Sequence, residues 1–192
     1  MQISLATIRS KWALLTQLAS IAVSASSAFL LQAPGLEIDD RTAEGIAFFS
    51  TAILSSLFLT FARRRTKTER ARLRAIVSLS LVTLLVSFAV YRHLIAEWAE
   101  QPQESPRPIV TGNNLTDDAK QFVQEHGWNE TKLSANEKRR LISGQAYRTR
   151  DVWKDGFLDR WSILTSLYTA QLVCVSVCVI GAVSLSRNRS FR

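Results

Sequence analysis

The chain has 192 residues, 47% of them hydrophobic, with 24 Lys/Arg against 16 Asp/Glu. The charges are gathered into a few stretches separated by nearly uncharged ones. That segregation excludes an ordinary soluble helical fold, in which charge is scattered along every amphipathic helix. The net charge of +8 is no nucleic-acid signature either, because the arginines flank apolar runs as the positive-inside rule requires.

Arg9 and Lys11 precede the first apolar run, which is predicted to cross a membrane over residues 12–31. A hydrocarbon core of about 30 Å takes about 20 helical residues. Gln17 is the only strongly polar side chain in this run, and Pro34-Gly35 ends it. A cleaved signal peptide is the competing reading, with Val23-Ser24-Ala25 or Ser26-Ser27-Ala28 as the cleavage site. Against it, the apolar run continues through Phe29, Leu30 and Leu31, longer than a normal signal core.

A short acidic loop (Glu37, Asp39, Asp40, Glu44) leads into a second predicted span over residues 45–62. Arg63, Arg64, Arg65, Lys67, Arg70, Arg72 and Arg74 follow, with Glu69 the lone acid among them. This basic loop, 63–74, is expected on the cytoplasmic side. Helix is expected from Thr68 into a third span over 75–91 and onward to Trp98.

Residues 99–160 read as an extracytoplasmic segment. Its first part, 101–108, holds three prolines and has the composition of a linker with polyproline II character. Thr116-Asp117-Asp118 caps a short helix with Ala119, Phe122 and Val123 on its apolar face and Gly127 as its stop. Ser134 and Glu137 form a capping box for a second helix, with Leu141 and Ile142 as its apolar side and Gly144 as its stop. A third helix is expected from Asp151, running through Trp153, Phe157 and Trp161 into the fourth span, 161–185. Arg187, Arg189 and Arg192 then return the chain to the cytoplasm. A segment this short and free of cysteine is expected to need help to form a core, its apolar faces lying on one another, on the membrane surface or on neighbouring subunits.

The expected fold is therefore an all-α integral membrane protein, a four-transmembrane-helix bundle with a small helical extracytoplasmic segment between spans three and four. It divides as 1–98, 99–160 and 161–192. Cytoplasmic segments carry 12 Lys/Arg and one acid, and exterior segments 12 Lys/Arg and 15 acids. Trp12, Tyr91, Trp98, Trp161 and Tyr168 fall near expected interfaces, as an aromatic belt would.

Several features bear on function. In span four, Ser162, Ser166, Ala170, Cys174, Cys178 and Ala182 recur at every fourth residue. Such a small-residue face lets helices approach closely, either inside one subunit or between subunits. Span two repeats the pattern with Ala43, Ala47, Thr51 and Ser55. Gln17 and Gln171 are amides in apolar surroundings and need partners, in a helix interface or along a narrow pore. Cys174 and Cys178 lie one turn apart on one helix, a poor geometry for a disulfide, and match no zinc spacing. Residues 63–74 orient the chain, and their six arginines to one lysine also suit contact with anionic lipid or an acidic cytoplasmic partner. His93 and His126 sit in no catalytic or metal-binding pattern, and no cofactor and no enzymatic activity are expected.

This layout, four apolar runs with alternating basic flanks and one long cysteine-free loop, resembles the small four-helix membrane components of bacterial anti-phage systems. Tetraspanins share the layout but carry a Cys-Cys-Gly motif that this loop lacks. The resemblance implies a homo-oligomeric inner-membrane effector, pore-like or membrane-perturbing, contacting lipid and a cytoplasmic protein partner, and it transfers no functional residues. The alternative is a membrane anchor or sensor whose extracytoplasmic segment binds an envelope or phage component.

Overall fold

The structure is a computed structural model and describes residues 33–36, 41–62, 67–101, 108–129, 132–144 and 149–186. The first predicted span, with Gln17, lies outside the described residues, as do residues 102–107 of the proline-bearing stretch 101–108. The fold class is all-α. Six helices are described: α1 (Thr42–Ala62), α2 (Lys67–Trp98), α3 (Asp117–Glu125), α4 (Ala135–Gly144), α5 (Thr149–Val152) and α6 (Phe157–Ser186). Two strands of two residues each, β1 (Ala99–Glu100) and β2 (Ile109–Val110), pair antiparallel.

Two of these helices are long and apolar enough to cross a membrane, over Thr68–Trp98 and Phe157–Leu185. The apolar part of α1, Thr42–Phe58, is shorter. The chain forms two compact units. One comprises residues 1–31, 46–88 and 169–192, the other residues 32–45 and 89–168. The second unit takes in more than the expected segment 99–160. It includes one end of each of α1, α2 and α6 and the stretch around Pro34-Gly35.

In the first unit, α2 and α6 pack antiparallel. The Gln171 amide nitrogen donates to the Ser87 carbonyl oxygen at 3.0 Å, and farther along the Cys178 thiol lies 3.8 Å from the Val77 carbonyl oxygen. At Gly181 the α6 backbone comes so close to the Val77 side chain that an added Cβ would collide with it.

The second unit has its own apolar centre, built from Leu115, Ala119, Val123, Leu141, Val152 and Trp153. Phe122, Trp128, Leu133 and Phe157 pack around it. Of the covers expected for these apolar faces, the structure shows the first: the short helices lie on one another, with Phe157 of α6 packed against them. Local signals explain why. Thr116 caps α3, its side chain accepting from the Ala119 amide at 3.3 Å. The helix ends in a Schellman arrangement, with Trp128 N bonded to Val123 O and Gly127 N to Gln124 O. At α4 the Ser134 amide donates to the Glu137 carboxylate at 2.6 Å, and the Glu137 amide donates back to the Ser134 hydroxyl at 3.4 Å.

Three findings differ from the sequence reading. The helix begun near Asp151 is not continuous with the fourth span. It stops at Val152, and the chain turns at Gly156, whose φ of +74° and contact with Asn113 leave no room for a side chain. Pro34-Gly35 does more than end an apolar run. Gly35 bridges to Ile109, the Pro34 carbonyl accepts from the Trp161 indole at 3.2 Å, and the Leu36 carbonyl accepts from the Thr149 amide at 2.9 Å. Tyr91 and Tyr168 are not part of an exposed aromatic belt. Both are buried, with ring centroids 6.3 Å apart.

Candidate functional site

Helices α1 and α2 carry large apolar side chains on their exposed faces. On α1 the buried residues are Ala43, Ala47, Thr51 and Ser55, while Phe48, Phe49, Ile53, Leu54 and Leu57 are exposed. On α2 a stripe of less exposed positions runs through Leu73, Val77, Ser80, Leu84, Ser87, Tyr91, Leu94 and Trp98, spaced alternately four and three apart, with Ile95 beside it. Between them Leu79 is 67% exposed and Leu85 63%. On α1 small and polar side chains are the buried ones, and on both helices large apolar side chains face outward. Water penalises that arrangement at about 25 cal/mol per Å² of exposed apolar surface, whereas lipid does not.

On α6 the buried stripe is Leu164, Tyr168, Leu172, Ser176 and Ile180, with Thr165 and Gln171 beside it. The small-residue face is its neighbour: Ala170, Cys174 and Cys178 are half-buried, and Ser162, Ser166 and Ala182 are exposed. Gln171 is fully buried. Its amide nitrogen is used by Ser87, and its amide oxygen has no partner among the described residues.

Of the basic cluster, Arg63, Arg64 and Arg65 lie outside the described residues, and Lys67 opens α2. Arg70 is half-buried, and Arg72 and Arg74 are exposed. His93 is exposed, 3.9 Å from Glu97. His126 caps the end of α3, with Nδ1 2.8 Å from the Phe122 carbonyl oxygen and its ring stacked on Phe122 at 4.2 Å.

The sequence reading missed a polar cluster in the second unit. Arg160, in the first turn of α6, donates to the carbonyls of Thr111 at 3.0 Å and Gly112 at 3.1 Å and to the Asn113 side-chain oxygen. Its guanidinium lies over the Trp98 ring, 5.7 Å from the centroid. The Asn113 amide donates to the Asp155 carbonyl at 3.0 Å, and the Asn114 side chain donates to the Asp155 carboxylate at 2.9 Å. Asn114 and Thr116, which match a glycosylation sequon, are thus both committed internally, the Thr116 hydroxyl donating to the Asp151 carbonyl at 2.7 Å. One signal for the cluster was present in the sequence. Arg160 is a cation in the first turn of a helix, where the dipole disfavours positive charge, so its presence calls for specific acceptors.

Among the described residues no group of His, Cys, Asp or Glu could hold a metal ion. No protein-family model matches the chain, and neither a curated protein nor a solved structure does.

Proposed function

We propose that this is a non-enzymatic integral membrane protein that acts as an anchored recognition module. In this reading the unit of residues 32–45 and 89–168 faces the extracytoplasmic side and binds a component of the cell envelope. The apolar helices hold it in the inner membrane, and the basic residues Arg70, Arg72 and Arg74 stay on the cytoplasmic face. The observation that carries the reading is the buried centre around Val123, Leu141 and Trp153. A stretch that only joined two spans would have no need of a packed core. The test is binding of the detergent-purified protein to isolated envelope sheets. Exchange of residues 101–160 for an unrelated helical segment of equal length is expected to abolish binding while insertion persists. Undiminished binding after the exchange overturns the reading.

A second reading keeps the same membrane architecture, a four-helix bundle that oligomerises through the face of Ser162, Ser166, Ala170, Cys174, Cys178 and Ala182. It is a pore-like or membrane-perturbing effector, acting in anti-phage defence beside a cytoplasmic partner. The buried amide oxygen of Gln171, without a partner among the described residues, favours it, since a water path would satisfy that atom. Potassium flux from liposomes carrying the purified protein decides between the two: tight liposomes exclude the pore, and steady leakage excludes a purely anchoring role.

A further inference from the structure

Thr111 is the meeting point of two helix ends. Its amide and hydroxyl both donate to the carbonyl of Trp98, the last residue of α2, at 2.8 and 3.0 Å. Its own carbonyl accepts from Arg160 in the first turn of α6. The same guanidinium reaches Gly112 and Asn113 and covers the Trp98 ring. None of Thr111, Asn113 and Arg160 belongs to the apolar core of the unit. Arg160 is only partly buried, so water can replace its protein partners one at a time.

We propose that Arg160 with residues 111–113 forms a latch, a conformational device that ties the C-terminal end of α2 to the first turn of α6. It can open while the core of α3, α4 and α5 stays folded. Thr111 is itself buried, but Asn113 is exposed and Arg160 half-buried, and polar bonds that water reaches from one side open locally at lower cost than a packed apolar centre. The latch depends on arginine in particular. A planar fork reaches three acceptors and an aromatic face together, whereas a lysine ammonium is a single point charge. The use of the latch, passing a binding event on the core to two helix ends, rests on the recognition reading; its existence is a property of the fold.

Amide hydrogen exchange on the full chain in detergent micelles tests it. Arg160→Gln and Arg160→Lys are both expected to speed exchange at Thr111 and Asn113 by about tenfold or more, with Val123 and Leu141 unchanged. Asn113→Ala removes one acceptor and is expected to give a smaller rise at the same two amides. Three results overturn the proposal: unchanged exchange at Thr111 in Arg160→Gln, an equal rise at Val123 and Leu141, or wild-type behaviour restored by lysine. The envelope-binding test reads a different quantity, so the two ideas fail separately.

Discussion

Single side chains in this chain work mainly by closing helix ends, and two of them make testable cases. Hydrogen bonding by the Ser134 side chain, and then by its backbone amide, holds the Glu137 carboxyl below the usual carboxylate range. The charged form is therefore favoured by folding. Its contribution to α4 is present above the carboxyl's unfolded value and is lost as pH falls through the depressed folded value. Residue-resolved NMR is expected to show α4 fraying on acidification, and Glu137→Gln, which can still accept from the Ser134 amide, to remove most of that pH dependence. Gln171 is the second case. Its replacement by leucine removes one interhelical bond and one unpaired acceptor together. The two effects oppose each other, so unfolding in micelles is expected to shift by less than about 1 kcal/mol. If Gln171 lines a water path, the same variant loses ion flux while keeping its fold.

The helices show where sequence legibility ends. The caps at Thr116 and Ser134 and the stop at Gly127 act within one turn, so residue type and spacing sufficed to place α3 and α4. The small-residue stripe of α1 was legible for the same reason: Ala43, Ala47, Thr51 and Ser55 are its buried face. On α6 the small-residue face lies beside the buried stripe of Leu164, Tyr168, Leu172 and Ile180, whose place in the contact is set by shape fit to a partner helix and not by smallness alone. Gly181 marks a close approach in that contact. Gly181→Ala is expected to cost about 1–3 kcal/mol by overpacking against Val77. Val77→Ala in the same chain should recover most of that loss, and a double-mutant cycle read by thermal unfolding in micelles measures the coupling.

At the scale of the whole molecule, long-range partners were the illegible part. Nothing near Pro34 in the sequence announces Trp161, and nothing near Thr111 announces Arg160. Such contacts depend on which distant segments the fold brings together, and one chain read alone carries no such pairing. The segregation of charge was fully legible, and it makes a prediction about sidedness. In a background with Cys174 and Cys178 changed to serine, an impermeant thiol reagent applied to intact cells is expected to label Lys154→Cys and to spare Lys67→Cys. Labelling of position 67 would reverse the expected orientation and put the second unit out of reach of any envelope component.

The four-three alternation of α2 from Leu73 to Trp98 runs without a skip. A helix keyed in this way counts residues. One alanine inserted near its middle turns everything beyond it by about 100°, throwing Tyr91 outward and bringing Val90 into its place, whereas seven inserted residues restore the phase to within about 20°. Natural variants of this protein should therefore tolerate substitutions on the outward faces of α2 far more readily than any change in its length.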